Sequence, residues 1–214
     1  MKFRSFIITL VILGLTGCSS MYYSTMEKVG IHKRDIMADR VKEARETQDE
    51  TKQQFVTALE QFKSIVNFKG GDLEKEYNKL NAILKKSEAK AAEVHDRINA
   101  VEDVSTALFE EWREEIKQYA NPSLRKSSQK KYDATRKKYT ELIRAMKKAE
   151  ARLEPALVPL RDQVLFMKHN LNARAIAGLG NEVVKVQSNV DHLVREMESA
   201  IAEADEFIRA LQKE

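Results

Sequence analysis

Cysteine, proline, glycine and tryptophan are all scarce in this chain. Of its 214 residues one is cysteine (Cys18), one is tryptophan (Trp112), three are proline and seven are glycine. A lone cysteine excludes a disulfide within the chain. With so few glycines and prolines there are few places for a helix to stop. At 7% aromatic, a bulky globular core is not expected. Nowhere do apolar residues alternate with a period of two, so no strand is predicted. The phosphate-cradling loop Gly-x-x-x-x-Gly-Lys-Ser/Thr is absent. His32, His95, His169 and His192 fall on different segments, with no i, i+4 ligand pair and none beside the cysteine. They read as solvated side chains, and no metal site is nominated. No nucleophile–base or paired-carboxylate constellation stands out, and charged helices lack the loops on which such sites sit. The expectation is a non-enzyme without a metal or a dissociable cofactor.

What is present in quantity is charge, at 33% of residues, together with Ala, Glu, Lys, Leu and Arg. That profile belongs to long helices and coiled coils. The N-terminus stands apart. Lys2 and Arg4 precede an apolar run from Phe6 to Leu15, too short for a membrane span of about 20 residues. Residues 1–17 read as a cleaved export signal. Leu15-Thr16-Gly17-Cys18 resembles the lipobox of lipid-modified bacterial proteins. The resemblance implies cleavage before Cys18, a thioether-linked diacylglycerol on its sulfur and an N-acyl lipid on the new terminus. The other reading is an ordinary signal that leaves Cys18 a free thiol. Each buried lipid CH₂ contributes about 0.8 kcal/mol, so several chains anchor durably. Ser19 follows the cysteine where an aspartate would retain the protein at the inner membrane. The sorting pattern of such lipoproteins therefore implies the inner leaflet of the outer membrane, facing the periplasm. The net charge of +4 loses the two positive charges of Lys2 and Arg4 on maturation, so the pI near 9.0 is no argument for a nucleic-acid partner.

Residues 18–31 read as a lipidated tether, with Tyr22 and Tyr23 suited either to the membrane boundary or to packing on the helices that follow. Residues 32–214 read as a helical bundle. In the first helix, about Lys33 to Asn67, Met37, Val41, Ala44, Gln48, Thr51, Phe55, Ala58, Phe62 and Ile65 alternate steps of four and three. This is the 3.5-residue seam of helices that wind around one another, with Gln48 and Thr51 a polar interruption. Gly70-Gly71 predict its stop and Asp72 the cap of the next helix. The second helix, Leu73 to Tyr119, keeps the rhythm through Leu80, Leu84, Val94, Ile98, Val101 and Leu108, then drifts towards Val104 and Ile116. Asn121-Pro122-Ser123 turns the chain. The third helix carries Tyr132, Tyr139, Met146, Leu153, Leu160 and Met167 seven apart, with Leu142, Ala149, Leu157, Val164 and Leu171 between. Pro155 and Pro159 should kink or split it, and since the rhythm passes through both, a bend is expected and not a domain boundary. Glycines at 178 and 180 precede a fourth helix, Glu182 to Lys213, with Val183, Val186, Val190, Leu193, Met197, Ala200, Ala204, Phe207 and Leu211 along its seam. Short turns make neighbours antiparallel. The expected fold is all-α: an elongated antiparallel coiled coil or up-down-up-down four-helix bundle with a kinked third helix, part of helices two and three extending as a pair.

Two stretches are candidate binding surfaces. From Arg125 to Arg152 there are eleven basic and three acidic residues. Lys130, Lys131, Arg136, Lys137, Lys138, Lys147 and Lys148 are the candidates for an anionic lipid or wall surface. The competing reading sets Arg125, Lys126 and Lys130 against Glu110, Glu111, Glu114 and Glu115 across the turn, with the other lysines solvated. The second stretch spans 167–180, where polar His169, Asn170, Asn172 and Arg174 lead into a small apolar turn. It is either a partner-docking tip or a helix end with a glycine cap.

The stretch Met21 to Phe62, with Tyr22-Tyr23-Ser24-Thr25-Met26-Glu27-Lys28-Val29-Gly30, and the stretch Met167 to Leu179 resemble a family of small helical gammaproteobacterial lipoproteins of unknown function. The resemblance implies an all-helical envelope protein and carries over no catalytic residue. The expected role is a lipid-anchored, non-enzymatic scaffold or spacer for an unidentified envelope protein, with self-association through the seams as a further expectation. The alternative is a protein that binds an anionic membrane or wall surface through the basic third helix.

Overall fold

A computed structural model describes residues 22–23, 25–26, 30–67, 72–170, 172, 176 and 178–212. Cys18, Arg174 and Leu171 lie outside the described residues, as do Gly70 and Gly71. Among the described residues five long α-helices follow in order: α1 Lys33–Val66, α2 Leu73–Gln118, α3 Pro122–Glu150, α4 Leu153–His169 and α5 Gly180–Gln212. Among the described residues there is no strand. Local chemistry accounts for the starts. The Asp72 carboxylate accepts from the Lys75 N–H at 3.0 Å. The Asn121 side chain accepts from the Ser123 and Leu124 N–H groups, with Pro122 in the first turn, where its missing donor has no partner to lose. Ahead of α1, Gly30 takes φ 83°, and the Ile31 N–H reaches the Met26 carbonyl at 3.0 Å. That is a six-to-one turn, which favours a residue without Cβ.

The seams close within one chain. Every seam residue named on α1, from Met37 to Ile65, is buried, and so are Val186 to Leu211 on α5. Cross-helix bonds set direction and register. Lys33 pairs with Glu111, Arg97 with Glu43, Lys90 with Glu50, and Gln61 donates to Glu76, so position rises along α1 as it falls along α2. The same opposition holds between α1 and α5, where Arg45 pairs with Asp205 and Arg34 donates to the Leu211 carbonyl. It holds between α3 and α5 through Lys138–Glu206 and Lys148–Glu196. Helices α3 and α4 share the same two neighbours, α2 and α5, and α1 packs between α2 and α5 on the other side.

The expected third helix is two helices end to end, separated by Ala151 and Arg152. The restart at Leu153 puts Pro155 in a first turn, where a backbone nitrogen has no helical acceptor and the missing N–H costs nothing. Pro159 lies inside α4 and deprives the Pro155 carbonyl of its helical donor. Asn189 of α5 supplies the replacement, its Nδ2 donating to that carbonyl at 2.9 Å. Both sides of the break contribute to one core: Met146, Ala149, Leu153, Ala156 and Leu157 are all buried.

The middle of the core is polar. Thr51 donates to the Thr47 carbonyl at 2.7 Å, and Gln54 Nε2 reaches Ser87 Oγ at 3.3 Å. Gln48 is 0% exposed, and neither its amide nitrogen nor its oxygen has a partner among the described residues. An orphaned buried amide costs about 1–3 kcal/mol.

Candidate functional site: the two ends of the bundle

One end holds the start of α1, the end of α2, the start of α3 and the end of α5. Here an aromatic cluster locks α2 to α3. Phe109 and Tyr132 meet edge to face at 5.7 Å, as do Trp112 and Tyr132, and Trp112 Nε1 donates to Ser128 Oγ at 2.9 Å. Arg136 donates to the Tyr132 hydroxyl at 3.0 Å and stacks over its ring. Burial pushes the Tyr139 phenol above its ordinary pKa, partly offset by a hydrogen bond with Ser105. The open hollow beside this cluster, about 310 Å³, is rimmed by Arg113, Arg136 and Glu110. Tyr23 is buried in the same core and lies beside Ala107, Glu110 and Glu111 of α2. Packing on the bundle is therefore its role, while Tyr22 stays 40% exposed.

The basic candidates divide. Lys138 reaches Glu206, Lys147 reaches Glu102 and Lys148 reaches Glu196, each on a neighbouring helix, and Arg136 is held by Tyr132. Lys130, Lys131 and Lys137 make no ion pair among the described residues and are exposed. The pairing expected across the turn is corrected in its partners. Glu111 takes Lys33, Glu114 takes Lys117 within its own helix at 2.7 Å, and Arg125 donates to the Tyr119 carbonyl at 2.7 Å. The cause is register: the nearest cation to Glu111 lies on α1, and Arg125 caps the end of α2.

The other end joins α1 to α2 and α4 to α5. His169 closes α4 and is exposed. Asn170 is the cap, its Nδ2 donating to the Phe166 carbonyl at 2.9 Å, so an asparagine ends the helix where a glycine cap was weighed. Asn172 is exposed, and its carbonyl accepts from the Ile176 N–H at 3.1 Å. Ile176 and Leu179 are buried, which ties this turn to the core. The apolar surface at this end comes from residues off the seam: Leu165 is 60% exposed, Phe166 42% and Val184 74%. Helix α4 is apolar on most sides, so its sequence pattern does not mark which apolar residues stay outside.

Among the described residues no group of three His, Cys, Asp or Glu side chains is placed to hold a metal ion, and no helix is long and apolar enough to cross a membrane. A family model for proteins of unknown function, DUF2959, matches residues 22–211. The chain belongs to the DUF2959 family. Membership agrees with the resemblance to a family of unknown function and brings no activity with it. Among curated proteins none matches the chain.

Proposed function

We propose that this DUF2959 chain is a lipid-anchored envelope lipoprotein that works as a non-enzymatic helical scaffold or spacer. In this reading residues 1–17 are removed and Cys18 carries the diacylglycerol and N-acyl lipid. Ser19 directs the protein to the outer membrane, facing the periplasm. The helices form an up-down-up-down bundle whose third arm, α3 plus α4, bends at Ala151–Arg152. The observation that carries the reading is the separation of its two ends. The first described residues pack beside the start of α1, and the exposed Leu165, Phe166 and Val184 sit at the opposite end. Helix α2, 46 residues long and on the order of 70 Å, runs from the one end to the other. A bundle held at one end offers a protein partner an apolar contact at the other, beside the 167–180 turn. Since the seam residues are buried within the chain, a homo-oligomer would form through exposed surface and not through the seams.

The test has two arms. Fatty-acid labelling in cells should mark the native chain and be lost in Cys18→Ser. A photo-crosslinker at position 166 of the Cys18→Ser chain should capture a discrete envelope protein, and Leu165→Ser with Val184→Ser should abolish the capture. Unlabelled native protein would contradict the anchor, and capture that survives both substitutions would contradict the docking end. A second reading, contact with an anionic membrane surface, is favoured by the unpaired lysines at the start of α3.

A further inference from the structure

Among the described residues, the α2–α3 hairpin projects beyond the rest of the bundle. Helix α1 begins at Lys33, level with Glu111, yet α2 continues to Gln118. On the other side Glu206 is level with Lys138, so Gln212, six residues on, comes level with about Tyr132. The helix ends before Glu111 and Tyr132 thus leave a two-helix finger about 10–15 Å long at 1.5 Å per residue. Its exposure agrees: from Pro122 to Lys131 every residue is exposed save the half-buried Ser128.

The outer part of the finger has one chemistry, with Glu114 and Glu115 at its base. Between Ile116 and Lys131 stand five basic side chains and no acidic one. Leu124, 55% exposed, and Tyr119, 38% exposed, sit at its tip. A shallow groove of about 530 Å³ beside them is lined by Ile116, Pro122, Arg125, Lys126 and Lys130, with Asp133 the one carboxylate. Apolar and aromatic side chains ringed by cations suit the headgroup boundary of an anionic bilayer. The finger also points the right way. Tyr23 packs beside residues 107–114 of α2, about 14 Å short of the tip by helix rise. The five residues from Tyr23 back to Cys18 can span up to about 18 Å. A lipid on Cys18 can therefore enter the same bilayer plane that the tip touches.

We infer that the tip of the α2–α3 finger is a second membrane contact, docking on anionic lipid headgroups with Leu124 and Tyr119 at the boundary and Lys126 and Lys130 over the phosphates. The lipid fixes where the protein is, and the tip fixes how the bundle stands, end-on with the α4–α5 turn facing away. The membrane rests on the lipid-anchor reading, but the test does not, because it uses the unlipidated chain.

The Cys18→Ser mature chain is sedimented with phosphatidylcholine vesicles, pure or with a third of the lipid replaced by phosphatidylglycerol. Binding is expected only to the anionic vesicles and should weaken as salt is raised. Lys126→Gln with Lys130→Gln should weaken it at least about tenfold, and Leu124→Asp should weaken it at low and high salt alike. The matched neutralisation, Lys147→Gln with Lys148→Gln, should change it less than about threefold, since those charges are already paired. All these positions are exposed, and circular dichroism checks that the helices persist. No binding, equal binding to both vesicles, or an equal loss from the two lysine pairs would overturn the inference. A Cys18 that takes no fatty acid while the tip still binds would sink the anchor alone; a labelled Cys18 with a tip that ignores anionic vesicles would sink the tip alone.

Discussion

The two halves of α3 are equally rich in basic side chains, four from Pro122 to Lys131 and four from Lys138 to Glu150, and meet opposite fates. From Lys138 to Glu150 its lysines lie between α2 and α5 and are spent on Glu206, Glu102 and Glu196. From Pro122 to Lys131 it lies beside α2 alone, and Lys126, Lys130 and Lys131 pair with nothing described. The difference lies in how far the neighbouring helices run, not in the basic residues. A count of lysines along a helix therefore says little about its field; the charge left over after cross-helix pairing says more.

Substitutions in the two halves should separate cleanly. Leu142 is fully buried and Leu124 is exposed, both on α3. Leu142→Ala should lose about 2–5 kcal/mol in urea unfolding followed by circular dichroism, and Leu124→Ala no more than about 0.5 kcal/mol. Comparable losses would mean that the finger is packed against something. The body also carries a defect that the finger lacks. Replacing the orphaned amide in Gln48→Leu should raise stability by about 1–3 kcal/mol; a loss would show that the amide is satisfied after all, by an internal water. In the finger, Ser128→Ala removes the acceptor of Trp112. It should cost about 1 kcal/mol and speed amide hydrogen exchange from 113 to 131 more than from 135 to 150.

The smallest effect concerns the junction of α3 with α4. His95 donates through Nδ1 to Glu150 at 2.6 Å, which holds its pKa above the ordinary value of about 6.5. Because the folded value is raised, the pairing favours the folded state fully below the unfolded pKa and is lost as pH rises through the folded one. The site is solvent-exposed, so the stability change should be slight. An NMR titration should show His95 titrating above its ordinary value and falling back in Glu150→Gln.

Much of the fold was legible beforehand. Nearly every residue that the four-three spacing named on α1 and α5 is buried, because a helix that buries one stripe must repeat at 3.5–3.6 residues; Ile36, Thr47, Gln54 and Leu59 are buried beside that stripe. Asp72 and Asn121-Pro122 marked the starts of α2 and α3 for reasons local to a few residues. What was not legible depends on register between distant helices. That Lys147 meets Glu102 and Glu111 meets Lys33 follows from how α1, α2 and α3 slide past one another, and no local pattern encodes it. The burial of Tyr23 belongs to the same class. Leu165 and Phe166 escaped because α4 is apolar nearly all round. The finger was half visible, as a basic stretch beside a predicted two-helix extension; that α1 and α5 stop short of it needed the structure.

The most direct test of end-on docking is depth measurement on vesicles one-third phosphatidylglycerol. A fluorophore is placed on a single introduced cysteine, Leu124→Cys, Lys147→Cys or Leu165→Cys, in the Cys18→Ser chain, and nitroxide-labelled lipid is the quencher. The account predicts strong quenching at 124 and little at 147 or 165. Quenching at 147 equal to that at 124 would mean that the third arm lies flat on the membrane along its length, and the contrast between its two halves would fail.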